Sequence, residues 1–205
     1  MDEWNAIIQK RNNNPTHTLS SADNLCEVDD PKNILRDMLT VDVLNKFNNN
    51  GVPPHNLKLK EGDICIVMRN LARKEGLTNN TRVQIIKISK FCIRVQTLSA
   101  EPKVFLIPRI RFKFRLPFGK SFQLLRTQFP LRLAYCISIN KSQGQEYDYS
   151  LLDLIQPPFA HGQAYVAFSR GNDANNIYIL VKEEQIEDGC IVIENYVYHE
   201  LLENV

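Results

Sequence analysis

Two periodicities share this chain, one near 3.6 and one of two. Trp4, Ile7 and Ile8 recur at helical spacing and predict a short amphipathic helix over 2–10, stopped by Arg11-Asn12-Asn13-Asn14-Pro15. Residues 16–31 are rich in Ser, Asp and Asn and read as loop with room for one short strand. Helical spacing returns over 34–47, through Ile34, Leu35, Met38, Leu39, Val43, Leu44 and Phe47. Asn48-Asn49-Asn50-Gly51 breaks it, and Val52-Pro53-Pro54-His55 reads as an extended connector. From Leu57 the period drops to two. Residues 63–68, 82–88, 91–97, 103–107 and 109–114 are five short β-rich runs separated by turn signals such as Glu75-Gly76, Asn79-Asn80 and Pro108. Strands at this spacing imply a small β-barrel or sandwich. Residues 131–139 then predict a mostly apolar strand, as in a sheet covered on both faces. A strand at 149–154, a helix at 162–170 and a strand at 176–182 alternate as in an α/β layer. The last stretch, 190–202, fits a strand followed by a helix, with boundaries the pattern does not fix.

Composition bounds this picture. The 205 residues, 43% hydrophobic and 23% charged, suit one globular domain or one domain with a smaller insertion. A net charge of +2 argues for no partner by itself, but its distribution is uneven. Arg109, Arg111, Lys113, Arg115, Lys120, Arg126 and Arg132 fall in a stretch without Asp or Glu. Such a segment suits a phosphate backbone, and equally a solvated face or strand edge. Phe112, Phe114 and Phe118 lie among these cations, either as stacking rings for single-stranded nucleic acid or as alternate core residues of a barrel. Five scattered cysteines without a C-x-x-C pair disfavour zinc or a disulfide framework and favour a reducing, intracellular compartment. No apolar run approaches the ~18 residues needed to span a bilayer, so no membrane partner is expected, and the acidic start Met1-Asp2-Glu3-Trp4 is unlike a secretory signal.

Candidate chemistry concentrates in two places. Ile139-Asn140-Lys141-Ser142-Gln143-Gly144-Gln145 follows the apolar run at 131–139, and His161-Gly162-Gln163-Ala164-Tyr165-Val166-Ala167-Phe168-Ser169-Arg170 forms an amphipathic turn of helix that ends on an arginine. Asn140, Lys141 and Ser142 put a donor, a cation and a hydroxyl on one turn, suitable equipment for backbone phosphates. Gly144 lets a ligand approach the backbone. Phe118-Gly119-Lys120-Ser121 contains the end of a phosphate-binding P-loop, but Phe114 stands where that loop needs its first glycine. It is a decoy. No Asp-Glu pair follows an apolar strand in the manner of a Walker B site, and no metal site is expected.

Both motifs resemble those of superfamily 1 helicases of the petite-integration-frequency (PIF) family and its transposon-borne relatives. Further landmarks follow the same order. Leu19-Ser20-Ser21-Ala22-Asp23 resembles that family's serine-aspartate segment, and Gly51-Val52-Pro53-Pro54-His55-Asn56-Leu57-Lys58-Leu59-Lys60 its connector. Met68-Arg69-Asn70-Leu71, Gly76-Leu77, Asn80-Thr81-Arg82 and Leu106-Ile107-Pro108-Arg109 resemble barrel landmarks, and Gln128-Phe129-Pro130-Leu131-Arg132-Leu133-Ala134 the return from the barrel.

The resemblance implies an α/β, RecA-like second motor domain with an inserted small all-β barrel, the first RecA-like domain being absent. Residues 1–56 would be the N-terminal part and connector, 57–115 the barrel, and 116–205 the C-terminal part with the two motifs. The implied activity is that of the C-terminal part of an ATP-dependent 5′→3′ DNA helicase, inactive as an ATPase without its partner domain. By resemblance Arg170 is the arginine finger, whose planar charge suits a transferring phosphoryl group. Its alternative is an arginine facing the C-terminal end of a helix dipole. Gly144, Gln145, Glu146, Gln163 and Tyr165 fall to the nucleotide, with Glu146 facing the ribose, and Asn140, Lys141, Ser142 and Gln143 to single-stranded DNA. The alternative for Lys141 and Glu146 is ordinary solvated charge, and Asn140 stands where the family often has histidine. ATP and Mg2+ are implied only when a first RecA-like domain completes the site, on a separate chain or otherwise. Nucleus or mitochondrion would be the compartment in a eukaryote. A second reading is a non-enzymatic, domesticated helicase remnant that binds DNA or a protein.

Overall fold

The period-two middle of the chain becomes a five-stranded antiparallel sheet. The computed structural model describes residues 1–27, 41–47, 51–99, 101–115 and 122–198. They divide into two compact units, Met1–Cys136 and Ile137–Val205. The first opens with helix α1 (Asp2–Lys10), strands β1 (His17–Ser20) and β2 (Ala22–Glu27), and helix α2 (Val41–Lys46). Strands β3 (Asn56–Leu59), β4 (Ile64–Val67), β5 (Arg82–Ile88), β6 (Cys92–Thr97) and β7 (Val104–Pro108) follow. It closes with β8 (Ile110–Arg115), β9 (Phe122–Gln128) and β10 (Leu131–Leu133). The large sheet runs in the order β10-β4-β5-β6-β7, β1 pairs with β3, and β2, β9 and β8 form a second antiparallel sheet with β9 central.

Alternation explains the core. Val83 and Ile85 of β5, and Ile93 and Val95 of β6, point inward and are buried, with Leu59 and Ile107 among the residues packed around them. Gln84, Ile86 and Arg94 take the outward positions. A register shift between Ile85 and Lys87 bends this pair. Residues 16–31 were expected to hold at most one strand, and hold two in the part described; the segment 28–40 and the loop 116–121 lie outside the described residues, with most of the helix expected over 34–47 and with Phe118 and Lys120.

The strand expected over 131–139 is cut short. Only β10 pairs, through Leu131–Val67 and Leu133–Cys65, and Ala134 N donates to Ile64 O. Beyond it Asn5 of α1 substitutes for a neighbouring strand. Its Nδ2 donates to Cys136 O at 2.9 Å and its Oδ1 accepts from Cys136 N at 2.9 Å. Asn5 is therefore the buried residue of α1, while Ile7 is exposed, the reverse of what the helical pattern predicts.

Two buried ionic groups tie the unit together. Asp63, fully buried, accepts from Asn12 Nδ2 and Tyr135 Oη at one oxygen, and from Gln9 Nε2 and Lys60 N at the other. Neutral donors thus saturate the carboxylate. Burial, then the Asp63 charge and its hydrogen bond, push the Tyr135 phenol up to about 12. Burial and Asp63 likewise raise the Cys65 thiol. Arg126, also fully buried, pairs with Asp23 at 2.7 Å and donates to the carbonyls of Leu44, Phe47 and Pro53. It caps the end of α2 and fixes the connector. Ser21 Oγ lies 2.5 Å from Asp23 Oδ1 and 2.8 Å from His55 Nδ1, drawing the serine-aspartate segment onto the same knot.

In the second unit β11 (Ser150–Asp153), helix α3 (Gln163–Phe168) and β12 (Ile177–Leu180) make a strand-helix-strand unit with β11 and β12 parallel. A hairpin of β13 (Ile186–Glu187) and β14 (Cys190–Ile191) follows. Gln185 Nε2 donates to Leu154 O and holds the hairpin approach to the end of β11. No regular structure follows β14 among the described residues, so the helix proposed within 190–202 is absent as far as Tyr198.

Candidate functional site

The polar motif at 139–145 is a pair of tight turns. Ile139–Ser142 forms a 3₁₀ turn, and Ser142 is buried with its hydroxyl donating to Ile139 O at 2.6 Å. Gln145 N then donates to Ser142 O at 3.0 Å. With Gln143 at φ −58°, ψ 127° and Gly144 at φ +77°, this is a type II turn, whose third position requires glycine. Asn140, Gln143, Gly144 and Glu146 are exposed, and Lys141 and Gln145 half-buried. Gln145 Nε2 reaches Lys141 O at 3.2 Å, and its Oε1 accepts from Tyr147 Oη at 2.8 Å. The Ser142 proton, offered to a phosphate by the sequence pattern, is engaged inside the turn.

Helix α3 packs on this 3₁₀ turn. Its start is set by Gln163, whose buried Oε1 accepts from Phe159 N at 3.0 Å and Ala160 N at 3.2 Å. Tyr165, by contrast, is 74% exposed. At the other end Arg170 is half-buried. Its Nε donates to Val166 O at 3.2 Å, one Nη to Gln145 O at 3.3 Å and the other to Ser169 Oγ at 3.0 Å. A guanidinium has five N–H donors; these bonds use three, leaving two. His161 serves structure, accepting from Tyr198 N at 3.0 Å and stacking on its ring.

The two motifs meet through the backbone. Tyr147 and Gly171 form a parallel bridge, with Tyr147 N donating to Arg170 O and Asn172 N to Tyr147 O. A Cβ on Gly171 would lie 2.7 Å from two side-chain carbons of Ile177, so any larger residue here requires the Ile177 side chain to shift. Arg170, Gln145 and the 3₁₀ turn are thereby gathered at one end of α3. Gln163 and Tyr165 lie along the helix, Gln163 turned to the loop before it.

The basic segment separates into unlike parts. Arg126 is internal, and Arg109 donates to Ser20 O and Gln128 Oε1 while lying over Phe129. Phe112 is buried under Arg69, and Phe114 packs beside Arg126, so both rings belong to the core rather than to a stacking surface. Arg111, Lys113 and Arg115 are exposed. The alternation Arg-Phe-Lys-Phe-Arg carried this distinction. No group of three or more His, Cys, Asp or Glu gathers as a metal site among the described residues, and no helix among them is long and apolar enough to cross a membrane.

Against this geometry, residues 42–88 match the family described as DNA helicase Pif1, 2B domain. The resemblance to PIF-family helicases is thus shown over part of the chain. The ATP-dependent DNA helicase PIF1 of Danio rerio is 35% identical over 127 residues, covering 60% of this chain and 19% of its own length. The chain therefore spans about a fifth of that relative. In fold, the Pif1 helicase from Candida albicans matches 99% of this chain and 47% of its own, with TM-score 0.68 and 22% identity. Pif1 from Bacteroides in complex with ADP-AlF3 and ssDNA matches 99% of this chain and 41% of its own, with TM-score 0.64 and 20% identity. The fold is mixed α/β, mostly strands in small sheets, and it is the fold of part of a Pif1 helicase.

Proposed function

We propose that the chain is the C-terminal part of an ATP-dependent 5′→3′ DNA helicase. Its second motor domain is RecA-like, interrupted by a small barrel built on the five-stranded sheet. Arg170 is the arginine finger. Asn140, Lys141 and Gln143, with the backbone of Ser142, hold the phosphates of single-stranded DNA. The observation that carries this reading is the Tyr147–Gly171 bridge, with the Arg170 bond to Gln145 O, because it couples the DNA turn to the arginine through one short path.

The residues fit one side of a nucleotide. The two spare N–H donors of Arg170 suit a phosphoryl group, and Glu146, exposed on the next turn, suits ribose hydroxyls. When bound beside a P-loop domain, ATP with Mg2+ supplies the transferable phosphoryl group. The chain's own part is to release Arg170 from Val166, Gln145 and Ser169 and turn it to that group. Motion of Gln145 in this exchange would carry over to the turn at 139–142 that grips DNA. The Bacteroides relative, solved with ADP-AlF3 and ssDNA, supports both ligands for this class.

The test is fluorescence anisotropy with labelled single-stranded DNA, for wild type and Lys141→Ala, and ATPase assay of the chain joined with the P-loop half. Lys141→Ala is expected to weaken binding and lower the salt slope by about one unit. Arg170→Ala in the joined enzyme is expected to cut turnover about 10³-fold or more. Unchanged turnover in Arg170→Ala would overturn the finger assignment. DNA binding indifferent to Lys141 would remove that turn from the DNA path.

A further inference from the structure

The β2-β9-β8 sheet has one face occupied by the protein and another on which the side chains of the two edge strands, Ala22, Asn24, Arg111, Lys113 and Arg115, are exposed, with those of β9 half-buried between them. Directly opposed residues of antiparallel strands share a face, so the printed registers define both. Phe112, Leu124 and Arg126 are on the inner face, with Asp23 paired beneath them. The outer face carries Arg111 opposite Thr127, Lys113 opposite Leu125, and Arg115 opposite Gln123. It continues across β9 to Ala22 and Asn24 of β2. Its charged members are three cations, all exposed, and none makes an ion pair or hydrogen bond among the described residues. The only carboxylate of β2 whose side chain is described, Asp23, is turned inward to Arg126.

We propose that this outer face is a second DNA site, one that grips the backbone of duplex DNA. Side chains two apart on a strand stand about 6.8 Å from each other, so Arg111, Lys113 and Arg115 form a straight row with regular cationic pitch. Among the described residues no aromatic side chain lies on this face: Phe112 and Phe114 of the same strand point the other way. Binders of single strands combine cations with stacking rings, which are absent from this row, whereas phosphate contacts alone suffice to hold a duplex without reading its sequence. The site is separate in sequence and in unit from the turn at 139–143. The inference rests on the reading of the chain as a DNA motor part, and a backbone clamp on the duplex is what a strand-separating machine needs in addition to its single-strand track.

The test uses the full chain, with a blunt 20-base-pair duplex and a labelled single strand as probes in anisotropy titrations across salt. The triple variant Arg111→Gln, Lys113→Gln, Arg115→Gln changes only exposed side chains, and a thermal melt matching wild type confirms its fold. The expected result is duplex affinity reduced about tenfold or more, with the slope of log K against log salt shallower by about 2–3 units, and single-strand affinity within about twofold of wild type. Duplex binding unchanged in the variant, or absent in the wild type, would overturn the proposal. Loss of single-strand binding with duplex binding retained would overturn it too, since the row would then belong to the single-strand track. Lys141→Ala separates the two readings: if it weakens single-strand binding while the triple variant leaves duplex binding intact, the motor reading stands and the clamp falls.

Discussion

Met1–Cys136 and Ile137–Val205 solve the problem of burial in different ways. The first has an apolar core, with Leu59, Val67, Ile85, Ile93, Ile107 and Phe129 all within one cluster. Its internal polar groups, Asp63, Arg126 and Gln128, are each bound by several partners. In the second the deeply buried apolar side chains are few, Leu154, Ala164 and Ala167 among them, and Tyr149, Leu151, Phe159, Tyr165 and Tyr178 are exposed. The βαβ unit there is held largely by backbone bridges and by side chains such as Gln163 and Gln185. The residues assigned to chemistry stand on this thinner scaffold.

That contrast can be broken most forcefully at Arg126. Arg126→Met would leave Asp23 buried without its cation and three carbonyls without a donor, and the loss should be about 3–5 kcal/mol in urea unfolding of the chain. A loss below about 1 kcal/mol would mean water reaches the knot and the first unit is less saturated than its geometry implies. A truncation pair sharpens the same point. Phe129→Ala is expected to cost about 3–5 kcal/mol. Leu151→Ala, in the second unit and 59% exposed, should fall within about 0.5 kcal/mol. Comparable costs would show that the exposed face of β11 is covered in solution.

The smallest effect concerns the alkaline limit. The folded state raises Tyr135 from 10.0 to about 12, first through burial and then through Asp63, so it favours the protonated phenol. Stability from this group is complete below pH 10.0 and is lost as pH rises towards about 12. Tyr135→Phe should flatten that fall, measured as the denaturation midpoint across this window. An unchanged alkaline slope would assign the fall to another group.

Strands were readable in the sequence where one face is wet. β5, β6, β7 and β8 lie within one or two residues of the runs at 82–88, 91–97, 103–107 and 109–114, because apolar and polar positions alternate there. The alternation misleads in β9, where Arg126 and Gln128 point inward with Leu124. A polar residue deep in a sheet looks like a surface residue until its partner is known, and Asp23 is 103 positions away. Asn5 hid for the same reason: it replaces a strand for Cys136, which no pattern local to either segment encodes. At the site, Gly144 was marked by residue type, but the internal use of the Ser142 proton and the three bonds of Arg170 depend on acceptors brought close by the turn and helix geometry, and Gly171 carried no signal before its contact with Ile177 was known.

The distance between Asn5 and Cys136 also sets an order of events. These groups are 131 residues apart, and β2 likewise meets its neighbour β9 only across about half the chain. During synthesis α1 and β2 emerge well before Cys136 and β9, so neither is secured by these partners until they too have been made. The meander β5-β6-β7, whose partners are adjacent in sequence, is free to form while the ribosome is still adding β9.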